Sequence, residues 1–177
     1  MLRRLPAGIE AMPNWIRSLK IMAETFRVER STVIDAPPAA IFPHINDFHA
    51  WADWSPFEKM DAEIAKTFTG PKSGVGAGYA WVGKKAGSGS MEILRADAPS
   101  KVVIKLDFTK PFTAHNTAEF TLEPQGSGTK LTWAMYGPTT FVTRLMHMVF
   151  PMDKMVGPQF DEGLAALKAI GENALVV

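Results

Sequence analysis

The stretch Lys101-Val-Val-Ile-Lys-Leu-Asp-Phe108 alternates along its length. Val102, Ile104, Leu106 and Phe108 fall on one side; Val103, Lys105, Asp107 and Thr109 fall on the other. Successive side chains of a strand point to opposite faces, so this pattern predicts a strand with one apolar and one wetter face. Antiparallel sheets have such faces. Asp107 lies opposite Phe108, and Glu119 lies opposite Phe120, so both carboxylates are expected to be solvated.

Strand signals continue in both directions. Downstream, Pro111 precedes a segment over residues 114–123, and Gln125-Gly-Ser-Gly128 reads as a hairpin turn into residues 129–136. Upstream, residues 90–96, 78–82 and 62–68 read as strands, separated by turns at 84–88 and 70–74. Phe26 to Ile34 alternates as a first strand, with Phe26, Val28, Arg30 and Thr32 on one side. Asp35-Ala-Pro-Pro38 stops it, and the prolines suit the first turn of a short helix running to Ile45. A second short helix, Asp47 to Trp54, ends at Ser55-Pro56 because a residue before proline avoids the helical region.

Two helices close the chain. Residues 139–150 predict an apolar helix that Pro151 breaks. Residues 152–173 predict a long one, with Met155, Phe160, Leu164, Leu167 and Ile170 near one face and Asp153, Asp161 and Lys168 off it. One strand, two short helices, a run of antiparallel strands and a long last helix make an α+β plan.

Residues 1–25 read differently, as an amphipathic extension preceding a domain over 26–177. Leu2, Leu5, Ile9, Met12, Ile16 and Leu19 recur at spacings of three and four, with Arg3, Arg4, Arg17 and Lys20 off the stripe. Pro13 would kink or end a helix there. Such an arm, over residues 1–21, offers peripheral contact with a membrane surface or a partner chain; the plainer reading is a loosely docked extension.

Composition narrows the function classes. The chain has 177 residues, 46% hydrophobic and 21% charged, enough to bury a core in one domain. Lys plus Arg number 19 and Asp plus Glu 18, a balance that argues against a nucleic-acid partner. With no cysteine, disulfides, zinc–thiolate sites and thiol catalysis are excluded. No apolar run has the length of a membrane span, and no continuous apolar core follows Arg3 and Arg4, so a cytoplasmic location is expected. Oligomeric state is not legible.

Gly78-Tyr-Ala-Trp-Val-Gly83-Lys84-Lys85 resembles a P-loop in spelling only. Lys85 stands where a hydroxyl should reach magnesium, and the intervening residues are bulky strand formers. Gly74 to Gly78 has no following helix and reads as a turn. His44, Asp47 and His49 are close in sequence but do not share one helical face, so no metal site is assigned. No serine sits in a nucleophile elbow, and the sequence places no carboxylate pair.

Four segments carry a family resemblance: Trp51-Ala-Asp-Trp54-Ser55-Pro56-Phe57, Tyr79-Ala-Trp81-Val-Gly83, Gly128-Thr-Lys-Leu-Thr-Trp133, and Phe160-Asp-Glu-Gly163-Leu164-Ala-Ala-Leu167-Lys168. In this order the chain resembles the polyketide cyclase/dehydrase-type (SRPBCC) branch of the START-like helix-grip superfamily, over residues 26–173. The resemblance implies a curved antiparallel sheet of about seven strands around the C-terminal helix. Between them would lie a cavity, which in relatives holds sterols, lipids, polyketides or plant hormones.

On that fold Trp54, Trp81, Phe108, Phe120, Trp133 and Met135 are the large apolar residues expected to line or close the cavity, with Phe160 and Leu164 facing it from the helix. No cofactor and no catalytic residue is assigned. The expected function is a binding or carrier protein for a small hydrophobic molecule. Two alternatives stand beside it. One is a cyclase- or dehydratase-like enzyme using His115, Tyr79 or Tyr136; the other is a surface protein-interaction module.

Overall fold

The computed structural model describes residues 25–61, 63–139 and 152–174. The extension read over residues 1–25 therefore lies outside the described residues except for Thr25, as does the apolar helix expected over 139–150 except for its first residue.

Seven strands form one sheet: β1 Thr25–Ile34, β2 Ala65–Thr69, β3 Gly78–Val82, β4 Ser88–Asp97, β5 Lys101–Lys110, β6 Ala114–Gln125 and β7 Gly128–Pro138. Their spatial order is β1-β7-β6-β5-β4-β3-β2, every pair antiparallel. From β2 to β7 the chain is a meander; β1 then closes onto β7, with Thr25 opposite Pro138. Helix α1 is Pro38–Asn46 and α2 is Trp51–Trp54, with single 3₁₀ turns at Phe48–Ala50 and Pro56–Lys59. The long helix α3 is Met152–Asn173. This is the α+β helix-grip plan, a curved seven-stranded antiparallel sheet with a C-terminal helix.

The alternation in β5 holds in full. Val102, Ile104 and Leu106 are buried and Phe108 is half-buried on the concave face, opposite Ile93 of β4 and Ala118 and Phe120 of β6. β2 starts three residues later than its expected position and is exposed throughout. It is an edge strand, paired only with β3.

The outer face is less wet than the sequence implies. Asp107 and Glu119 do point outward, yet their side chains are only 16% and 18% exposed. Lys105 Nζ is 2.8 Å from Asp107, and Lys101 Nζ is 3.3 Å from Glu119. Glu119 is covered from the neighbouring strand, and Asp107 by Lys105 on its own strand together with His115 across the ladder, a cross-strand contribution that one strand's alternation does not reveal.

α3 covers the concave face through Phe160, Leu164 and Leu167, each 2% exposed or less. Phe160 stacks on Trp133 of β7, ring centroids 4.0 Å apart and 9° from parallel. Phe120 stacks on the same indole, at 4.9 Å. Gly163 makes the approach possible: a Cβ there would lie 2.8 Å from Trp133 Cζ3 and 3.2 Å from Pro56 Cδ. Met155, expected on the same apolar face, is 42% exposed.

A polar clamp ties α3 to β1. Arg30 Nη1 and Nη2 donate to the two Asp153 oxygens at 2.7 and 3.0 Å, and Arg30 Nε lies 3.4 Å from Asp161. The guanidinium crosses the helix over Gly157, where any Cβ would collide with it. Solvent screens both aspartates, so the clamp sets position more than it adds stability.

Replacing a helical glycine by alanine ordinarily stabilises an exposed helix by up to about 1 kcal/mol. At Gly163 the sign should reverse. The added methyl meets a ring held between two others, and overpacking of this kind costs about 1–3 kcal/mol. Urea unfolding of Gly163→Ala should show that loss; a gain would mean that α3 does not touch Trp133.

Candidate functional site

A cavity of about 310 Å³ lies between the concave face and the first half of α3. Its size falls at the lower end of the usual range for small-molecule sites. Five residues expected from the sequence line it: Trp81, Phe108, Trp133, Met135 and Phe160. The other three expected residues lie in the packed layer beside it. Trp54 and Phe120 are wholly buried and Leu164 is 2% exposed, and none of them borders the cavity.

The reason is local. Trp54 Nε1 donates to the His44 carbonyl at 2.9 Å, and Trp51 Nε1 to the Ile45 carbonyl at 3.1 Å. These bonds lock α2 against the end of α1 and turn Trp54 edge-on to both Phe120 and Trp133. Aromatics here fill the interior on one side of Trp133 and leave space on the other.

The sequence reading missed Met91, Ala118, Val156 and Gln159 as lining residues. Strand parity carried the signal for two of them. Ala118 shares a face with Phe120, and Met91 pairs with Leu106. Val156 sits three residues before Gln159 and four before Phe160, spacings that make it a helical neighbour of both.

Polar groups cluster on part of the wall. Tyr79 Oη donates to Glu58 Oε1 at 2.7 Å, and Lys66 Nζ pairs with the other Glu58 oxygen. Burial, and then the bond to Glu58, push the Tyr79 hydroxyl far above its ordinary value. It remains protonated at neutral pH and acts as a donor.

Buried Asp61 organises the adjoining loop. Its Oδ2 accepts from the backbone N–H of Lys85 at 2.8 Å and of Ala86 at 3.4 Å, and Oδ1 accepts from Glu63 N at 3.2 Å. The Ala86 carbonyl accepts from Trp81 Nε1 at 3.2 Å. The carboxylate thus fixes the Lys85–Ala86 segment, which borders the cavity. The Lys85 N–H bond is the leading cause that lowers the Asp61 pKa below the ordinary carboxylate value.

The other titratable candidates face away. His115 is 72% exposed on the outer face, its Nδ1 2.8 Å from Asp107. Tyr136 Oη is 3.4 Å from Glu119 on the same face, and its ring lies under Arg27. A shallow polar depression of about 370 Å³ lies between Ser90, Glu92, Lys105 and Asp107, outside the apolar interior. Asp47 caps the 3₁₀ turn by accepting from His49 N at 2.9 Å. Among the described residues, no three His, Asp or Glu side chains are grouped to hold a metal ion, and no helix is long and apolar enough to cross a membrane.

A family model described as "Polyketide cyclase / dehydrase and lipid transport" matches residues 25–172. No curated protein matches the sequence. Solved structures share the fold. A protein of unknown function from Staphylococcus aureus superposes with a TM-score of 0.63 at 12% identity, covering 87% of this chain and 98% of its own. A structural-genomics protein from Chromobacterium violaceum gives 0.57 at 18% identity, covering 85% and 99%. The Aha1 dimer from Colwellia psychrerythraea gives 0.55 at 14% identity, covering 83% and 96%. At such identities the likeness concerns the fold alone.

Asp61 makes stability depend on pH with a definite sign. Its pKa is lower folded than unfolded, so its contribution is complete above the ordinary carboxylate value, about 3.9, and is lost as pH falls through the lowered one. Asp61→Asn should melt below the parent at pH 7, and the gap should narrow below about pH 4. An equal gap at pH 7 and pH 3 in calorimetry would show that ionised Asp61 does not hold the loop.

Proposed function

We propose that this chain, which belongs to the polyketide cyclase / dehydrase and lipid transport family, binds or carries a small hydrophobic molecule between the sheet and α3. The observation that carries this reading is the cavity itself. It is walled by Trp81, Leu106, Phe108, Ala118, Met135 and Phe160, and apolar enclosure is what an apolar ligand needs. Met91, Met135 and Met155 add flexible thioethers to the wall, which adapt to varied shapes.

The positions of the acid–base candidates favour carriage over a cyclase- or dehydratase-like reaction. His115 and Tyr136 face outward, and Tyr79 holds its proton too tightly to serve as a base. Tyr79 and Glu58 would instead present a polar rim to a ligand lying among the aromatic rings.

Ala118 is the residue with which to test occupancy, because it is small, 4% exposed and borders the cavity. A fatty acid, a sterol or a flat aromatic polyketide at micromolar concentration should quench or shift the tryptophan emission of the parent. Ala118→Phe should fill the space, abolish that response and leave the circular dichroism unchanged. An overpacked solid core would instead lose about 1–3 kcal/mol or more. If the parent responds to no apolar ligand and Ala118→Phe unfolds, the carrier reading fails.

A further inference from the structure

Three residues that line the cavity each carry a buried polar atom with no partner among the described residues: Ser55 Oγ, Trp133 Nε1 and Gln159 Oε1. Buried polar groups are nearly always hydrogen-bonded, and each exception calls for a physical explanation. Leaving one unmade costs about 1–3 kcal/mol. Here three exceptions share one cavity.

Each is unusual for its residue. The indoles of Trp51, Trp54 and Trp81 all donate to backbone carbonyls, whereas Trp133, 3% exposed, donates to nothing. Its Cζ3 edge lies against Gly163, which turns the opposite edge, carrying Nε1, away from the helix at that point. Ser55 occupies the N-cap of the turn Pro56–Lys59, where a serine hydroxyl ordinarily bonds a backbone N–H of the first turn. It makes no such bond although it is 0% exposed. Gln159 precedes Phe160, whose ring lies flat on Trp133. Ser55 adjoins Pro56, whose ring flanks Gly163 together with Trp133, and Gln159 adjoins Phe160, whose ring stacks on Trp133, so the three residues are neighbours in the fold.

The chemistry of the three atoms selects a ligand group. Trp133 Nε1 only donates, Gln159 Oε1 only accepts, and a serine hydroxyl does either. A neutral hydroxyl both donates and accepts and satisfies such a set. A carboxylate only accepts and would bury a charge with no cation beside it among the described residues, where Lys85 is the one basic residue on this wall and is exposed. A pure hydrocarbon would leave all three atoms unmade. We propose that the cavity recognises an uncharged hydroxyl on an otherwise apolar molecule, an alcohol or a phenol, through Trp133 Nε1, Gln159 Oε1 and Ser55 Oγ. This rests on the carrier reading above and names the ligand class for the same site.

Three probes of one shape separate the possibilities: naphthalene, 2-naphthol and 2-naphthoate, titrated at pH 7 by calorimetry or tryptophan emission. The parent should bind 2-naphthol roughly tenfold more tightly than naphthalene, with 2-naphthoate the weakest. Gln159→Met and Ser55→Ala should each fold, keep their naphthalene affinity and lose most of the preference for 2-naphthol. In the unliganded state neither should melt below the parent, since each removes an unsatisfied atom. Equal affinity for naphthalene and 2-naphthol would leave the carrier reading standing and overturn the hydroxyl assignment. Tightest binding of 2-naphthoate would overturn it in favour of an acid. A 2-naphthol preference that survives in both variants would overturn the residue assignment. Binding of none of the three would overturn this inference, while the carrier reading stands or falls on the fatty-acid, sterol and polyketide titrations with Ala118→Phe.

Discussion

The approach of α3 to β7 at Gly163 and Trp133 is the contact on which the interior depends. A sheet with one apolar face must be covered, and a helix with side chains at every position would stand off from it. The missing Cβ lets the second half of α3 seat closely, with Leu164 and Leu167 buried. Gly171 repeats the device two turns on, against Ile34 and Ile41, where an added Cβ would lie 3.2 Å from each side chain. The first half of the helix meets β7 through the Phe160 ring on Trp133 and otherwise passes over the cavity through Val156 and Gln159. One helix therefore serves as plug at one end and wall at the other.

Trp133 stands at the border between those two regions. It belongs to an aromatic layer with Phe120, Trp54 and Phe160, stacked against both phenylalanine rings, and it also borders open space. The layer is rigid because its tryptophans are bonded as well as packed: Trp51 and Trp54 each hold a carbonyl at the end of α1. A rigid border is what allows a void to persist, since a soft one would relax into it.

The fold was legible because its signals are local and periodic. The alternation of Val102 to Phe108, the turn at Gln125–Gly128 and the spacing of Phe160, Leu164 and Leu167 each locate an element without knowledge of the others. The boundary between filled core and lined cavity was not legible. Trp54 and Trp133 have the same side chain and both face inward, and only the bond from Trp54 to the His44 carbonyl places it in the solid layer. That bond depends on how α1 and α2 pack, which no periodicity encodes. The partial cover over Asp107 and Glu119 was hidden for the same reason: Lys101 reaches Glu119 and His115 reaches Asp107 through the pairing of β5 with β6. Ser55 looked like a helix stop, and nothing in the sequence distinguishes a hydroxyl that caps from one that does not.

The clamp at Arg30 carries a consequence for how the sequence can vary. The guanidinium occupies the place where a side chain at position 157 would begin, so the two positions are not free to change separately. A side chain at 157 displaces the Arg30 guanidinium from its present place and so loosens its pairing with Asp153 and Asp161. A short residue at 30 vacates the space and removes the objection to a larger one at 157. The effect of a change at either site thus depends on the occupant of the other, which is the definition of epistasis between residues in contact. Drift at this seam between β1 and α3 therefore couples the two positions: with Arg30 present a larger residue at 157 gives up the clamp, and with a short residue at 30 it gives up nothing.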